Sequence, residues 1–164
     1  MTSELLLRRK WTFRAHGKQV VFVKKPVETV EHVLMKAFLW ALYLPDYLHL
    51  TVEIRVGDRY KPDVVAMTES PYEGRKPAFW GEAGQVSEEK IRALVKRYRS
   101  THFAIAKWDT PLHPFVKMVS TALDGLERSA PFDLLNFPPD SAERFIGEDG
   151  QIRVRREEVE WVRV

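Results

Sequence analysis

The chain has 164 residues, 45% of them hydrophobic and 30% charged, and it contains no cysteine. The missing cysteines exclude disulfides, thiolate zinc sites and cysteine nucleophiles, and no apolar run approaches the roughly 18 residues of a membrane span. A formal net charge of +3 permits nucleic-acid binding without requiring it.

The length suits one compact domain over residues 1–164 with a core of its own. The opening MTSELLLRRK places its charges after too short an apolar stretch for a signal peptide, so a cytoplasmic protein without a membrane partner is expected.

Residues 4–15 and 18–25 read as two strands joined at His16-Gly17-Lys18, because Trp11/Phe13 and Val21/Val23 alternate with polar residues. Pro26 then opens a helix at about 27–43, where Val30, Val33, Leu34, Ala37, Phe38 and Ala41 recur at helical spacing until Pro45. HLTVEIRV at 49–56 alternates with period two and predicts a strand. KPDVVAM at 61–67 predicts the next one, TESPYEGRKP at 68–77 a polar loop, and AFWGEAG at 78–84 a further central strand.

Ser87 caps a helix over about 88–99 that carries glutamates in its first turn and Lys96, Arg97 and Arg99 in its last. HFAIAKW at 102–108 is apolar enough for a buried strand. A helix within 111–126 starts late because of Pro114. From Phe132 the tail predicts a short strand, a turn led by Pro139 and a hairpin around Glu148-Asp149-Gly150. The crossover at 78–108 requires at least one parallel strand pair, which makes this an α/β domain with a mixed central sheet flanked by helices.

Glu82 is a carboxylate near the end of an apolar strand, where burial without a partner is expensive. If 61–67 and 78–84 pair antiparallel, Asp63 faces Glu82 near the open end of the pair. Two adjacent carboxylates repel, and a divalent cation such as Mg²⁺ between them resolves the conflict. Glu31 borders the core-facing stripe of the first helix and is the third candidate acid, whereas Glu28 favours the positive end of that helix. The five histidines are scattered, with no pair at metal-ligand spacing on a helix. Lys96, Arg97, Arg99 and Lys107 read either as a path for a nucleic-acid backbone or as cations complementing a helix end.

A glutamate-bearing helix, then Pro-Asp on a strand, then a glutamate-ended strand running into a helix resembles the PD-(D/E)XK nuclease superfamily. More narrowly, PVETVEHVLMKAFLWAL and AFWGEAGQVSEEKIRALVKRY are similar to the YaeQ-like family within it. The resemblance implies a restriction-endonuclease-like core with N-terminal and C-terminal hairpins, and metal-dependent hydrolysis of phosphodiester bonds in DNA or RNA. It implies that Asp63 and Glu82 hold Mg²⁺ or Mn²⁺, with Glu31 completing the metal site or orienting the nucleophile. The superfamily's lysine belongs two residues after Glu82, where this chain has Gly84. Gln85 and Lys90 are the visible substitutes, and the alternative is a catalytically degenerate fold kept as a binding module.

Overall fold

The structure, a computed structural model, describes residues 9–70 and 74–164. The N-terminal hairpin pairs β1 (Lys10–Ala15) with β2 (Lys18–Val23), and both turn residues, His16 and Gly17, have positive φ. The expected start of this hairpin at residue 4 lies outside the described residues. Six further strands form one sheet in the order β3 (Thr51–Val52), β4 (Val64–Ser70), β5 (Gly74–Ala83), β6 (His102–Trp108), β7 (Phe132–Phe137) and β8 (Glu160–Arg163). The β5–β6 and β6–β7 pairs are parallel and the outer pairs antiparallel, so the expected mixed α/β architecture is present.

Helix α1 (Val30–Tyr43) covers one face of this sheet, and α2 (Glu88–Arg97) and α3 (His113–Leu123) cover the other. A short α4 (Ser141–Phe145) follows β7. The period of two decides which strand residues meet which helices. Phe79, Ala83, Ala104 and Ala106 join the α1 core, while Trp80, Phe103 and Ile105 join the α2/α3 core.

Three predicted elements change. Helix α1 begins at Val30 rather than 27, because the Thr29 side chain caps it by accepting from the His32 amide at 3.1 Å. The strand expected over 49–56 shrinks to Thr51–Val52, because Glu53 takes φ 55° and turns the chain out of the ladder. The loop expected over 68–77 is largely strand: Thr68–Ser70 and Gly74–Pro77 extend the β4–β5 pair, and 71–73 lie outside the described residues. Pro77 is tolerated there because the register shifts beside Met67, its partner, a bulge that accommodates a residue without an N–H.

Helix α2 keeps its Ser87 cap, and α3 carries Pro114 in its first turn as expected. Strand β8, only four residues long and half-exposed, closes the far edge of the sheet, with no alternation strong enough to predict it. Its Arg163 donates through Nε to Asp133 Oδ1 at 2.8 Å, while Tyr43 Oη (2.7 Å) and His102 Nε2 (2.6 Å) reach Oδ2. Burial alone would raise the Asp133 pKa, but these partners hold it well below the usual carboxylate range.

The expected C-terminal hairpin is reduced to one antiparallel bridge, Ile146 to Ile152, around a turn in which Asp149 and Gly150 have positive φ. This turn docks on β1: the Ile152 amide donates to Arg14 O at 2.7 Å, and Gln151 bridges Arg14. A Cβ on Gly150 would sit 2.3 Å from the Thr12 carbonyl oxygen, and its φ is 73°. Both the backbone conformation and the close approach therefore require glycine. Gly150→Ala is expected to destabilise the fold by about 2–4 kcal/mol in thermal or urea unfolding, whereas Gly125→Ala, also at positive φ but in open space, costs about 1 kcal/mol. Equal losses at the two positions would show that the docked turn does not hold the N-terminal hairpin.

Candidate functional site

The site is assembled where β4 begins and β5 ends. The Asp63 amide donates to Gly81 O at 3.1 Å and Val64 is in register with Gly81, which sets Asp63 across from Glu82. Asp63 Oδ2 accepts the Ala83 amide at 2.8 Å and lies 3.7 Å from His32 Nε2. Glu82 is only 7% exposed and shares the Trp80 face of β5, as its spacing predicts. Its Oε1 accepts from the Trp80 indole at 2.9 Å and from Lys90 Nζ at 2.6 Å.

The two carboxylates titrate in opposite directions. Burial and then the neighbouring Asp63 charge push Glu82 up to about 7, against the Lys90 ammonium and the Trp80 N–H. Burial would also raise Asp63, but His32 and the Ala83 amide outweigh it and hold Asp63 below its ordinary value. Asp63 is the more acidic member of the pair.

Beside Asp63 opens a cleft of about 610 Å³ lined by Glu28, His32, Lys36, Glu53, Gly84 and Gln85. Gln85 is exposed on this cleft, and Lys90 reaches Glu82 from the first turn of α2 while lying 5.3 Å over the Tyr60 ring. The fold thus gathers Asp63, Glu82, Gln85 and Lys90 into one region. Glu31 does not join them: among the described residues it makes no hydrogen bond or ion pair with Asp63 or Glu82, and Glu28, just ahead of the Thr29 cap, lines the cleft instead.

The sequence pattern does not single out Glu28, His32 and Lys36 as site residues, although His32 and Lys36 share one face of α1 at i, i+4 spacing and Glu28 stands four residues before His32, just ahead of the Thr29 cap. Glu28 Oε2 meets His32 Nδ1 and Lys36 Nζ, each at 2.5 Å. Lys36 is 2% exposed and also bonds Glu53, which explains why Glu53 holds its left-handed backbone. Burial works against the Lys36 charge, yet the two glutamates outweigh it and keep its pKa raised. Both ring nitrogens of His32 face acceptors, with Ala83 O at 3.1 Å from Nε2, an arrangement that favours the doubly protonated ring. Asp63 raises its pKa against the opposing effect of burial, and Glu28 adds to the rise.

Among the described residues, no three His, Asp or Glu side chains converge as a ready metal cage. Asp63 and Glu82 nevertheless suit a hard divalent cation, since Mg²⁺ takes one or two carboxylates and fills its remaining positions with water and substrate oxygen.

The fold has counterparts among solved structures. The YaeQ protein from Pseudomonas syringae superposes with a TM-score of 0.56 at 16% identity, covering 85% of this chain and 71% of that one. The YaeQ protein from Xanthomonas axonopodis pv. citri gives 0.53 at 18% identity, covering 77% and 72%. The chain has a YaeQ-like fold. No family model matches the sequence, and neither does any curated protein. No helix among the described residues is long and apolar enough to cross a membrane.

Glu82 supplies a stability test whose sign follows from its raised pKa. A carboxyl that holds its proton more tightly when folded costs nothing below its ordinary pKa of 4.5, and costs progressively more as pH rises to about 7. Glu82→Gln is therefore expected to unfold at higher temperature at pH 8, by about 1–3 kcal/mol, with no gain at pH 4. A loss of stability at pH 8 would instead make the Glu82–Lys90 ion pair a net stabiliser.

Proposed function

We propose that the chain is a metal-dependent phosphodiesterase of the PD-(D/E)XK class with a restriction-endonuclease-like core, acting on DNA or RNA. The observation that carries this reading is the pairing of Asp63 and Glu82 across β4 and β5, with their titrations driven apart. Mutual structural ion pairing does not account for it, since both groups are acids. The likeness to YaeQ proteins adds the fold and not the activity.

In this mechanism Asp63 and Glu82 would hold Mg²⁺ or Mn²⁺, which when bound would polarise a phosphoryl oxygen and lower the pKa of a water. Every other role falls to the chain itself. Asp63 is oriented by the Ala83 amide, which fixes one of its oxygens. Lys90 brings the ammonium that Gly84 lacks, and its 2.6 Å contact with Glu82 places that charge next to the carboxylate pair. There it offsets the charge that builds on a phosphate in the transition state. Gln85, exposed on the cleft, orients the attacking water by hydrogen bonding without adding charge. Glu31 is left without a role next to the pair, and Glu28 acts through His32 as a positioning residue.

Calorimetric titration of Mn²⁺ and Mg²⁺ tests the reading without a guess about substrate. Wild type is expected to bind one ion in the micromolar-to-millimolar range, with affinity reduced at least about tenfold in Asp63→Ala. Given a cleaved substrate, Lys90→Ala is expected to lower kcat by about 10²–10³ while leaving metal affinity within a few fold. Absence of binding by wild type at millimolar metal, with or without added oligonucleotide, would leave a degenerate nuclease fold used for binding.

A further inference from the structure

At the opposite end of the sheet, beyond the start of β6, lies a second cleft of about 570 Å³ lined by Lys76, Lys96, Arg97, Arg99, Arg128 and Glu127. It is built where α2 ends and the chain turns through Ser100 and Thr101 into β6. The wall is firmly held. Arg128 donates through Nη1 to Val95 O (3.0 Å) and Tyr98 O (2.7 Å), and through Nη2 to Thr101 O (2.6 Å). Its guanidinium lies 5.2 Å over the Phe103 ring, and the Ser129 amide donates to Arg99 O at 3.1 Å.

The charge balance of this cleft is one-sided. Arg97 is neutralised by Asp58. Among the described residues, Lys96, Arg99 and Arg128 have no carboxylate partner, and every acceptor of Arg128 is a neutral carbonyl; its Nε is buried with no acceptor at all. Burial, and then the like charge of Arg99, push the Arg128 pKa down.

Cations at a helix C-terminus are ordinary when they cap its carbonyls. Here Arg128, from another segment, takes the Val95 and Tyr98 carbonyls, and the Arg99 Nε takes the Lys96 carbonyl at 3.4 Å, so capping leaves the Lys96 ammonium and the outer nitrogens of Arg99 unaccounted for around the same hollow. A concave wall in which Lys96, Arg99 and Arg128 outnumber the one lining acid, Glu127, and in which Ser100 and Ser129 take part, raises the local concentration of anions, and arginine's planar fork matches a phosphate.

We propose that this cleft is a binding site for a phosphate group, separate from the Asp63–Glu82 site and independent of the activity assigned there. The phosphate is carried either by a small phosphate ester or diphosphate, or by a nucleic-acid backbone.

The test titrates the full chain, in EDTA and at constant ionic strength, with inorganic pyrophosphate and with a single-stranded dodecanucleotide. Wild type, the double variant Lys96→Ala/Arg99→Ala and Asp63→Ala are compared by calorimetry. Both substituted cations are exposed, so the double variant is expected to keep the wild-type melting temperature. The expected result is saturable binding that weakens at least about tenfold in the double variant and is unchanged in Asp63→Ala. That loss seen with pyrophosphate alone assigns the site to small phosphates, and the loss seen with the oligonucleotide assigns it to a backbone. Binding of neither ligand, or binding equal in wild type and double variant, overturns the proposal. Because metal is absent and Asp63→Ala serves as a control, either result leaves the nuclease reading to its own test.

Discussion

Everything at the Asp63–Glu82 site depends on the register of β4 against β5. With Val64 opposite Gly81, Asp63 falls across from Glu82, and the alternation along β5 turns Glu82 with Trp80 toward the α2 side. A slip of one residue would turn Glu82 to the α1 side of the sheet, away from the Lys90 ammonium and the Trp80 indole that it now meets. The bulge next to Met67 protects this register, because it absorbs Pro77 without disturbing the pairs nearer the site. The wide α1 core and the α2/α3 core on opposite faces then make any slip costly on both sides.

Holding two acids together in a half-buried place requires internal cations, and the fold supplies them from two directions. Lys90 comes from the first turn of α2 to Glu82, and His32 comes from α1 toward Asp63. His32 is in turn fixed by Glu28, and Glu28 by the buried Lys36, which closes on Glu53. The chain of contacts explains an otherwise expensive choice, a lysine with 2% exposure in the middle of a core helix. Replacing either glutamate would leave that ammonium half-paired. The strained backbone of Glu53 persists because its side chain is the second anchor of Lys36.

Much of this was legible in the sequence. The crossover over 78–108, the Ser87 cap and the Asp63–Glu82 apposition follow from periodicity, capping chemistry and hairpin logic. Other features were hidden for physical reasons. Pro77 and the polar residues around it read as loop, since nothing local reveals a bulge that tolerates proline in a strand. Strand β8 is short and half-exposed, and what fixes it is Asp133, 30 residues away along the chain. Glu31 and Glu28 are both acids near the start of α1. Which one faces the cleft is decided by the tertiary partners His32 and Lys36, although their spacing of four residues was available as a signal. The basic residues near 96–99 were visible as a group, but the arginine that organises them comes from position 128.

Gly84 is where the sequence departs from the superfamily pattern it resembles, and the local backbone supplies a reason. Its φ is 84°, and a Cβ there would lie 3.5 Å from the His32 ring carbon. A lysine at this position would have to adopt a left-handed backbone, so backbone strain opposes it. The turn that Gly84 permits sends the chain directly into the Ser87 cap, and it is this early start of α2 that carries Lys90 back over Glu82. The freed Gly84 carbonyl accepts from Lys107 Nζ at 2.6 Å, a buried ammonium whose pKa burial depresses and which lies 3.9 Å over the Phe115 ring. Gly84 and Lys90 are therefore coupled: the turn that the glycine permits brings the Lys90 ammonium over Glu82.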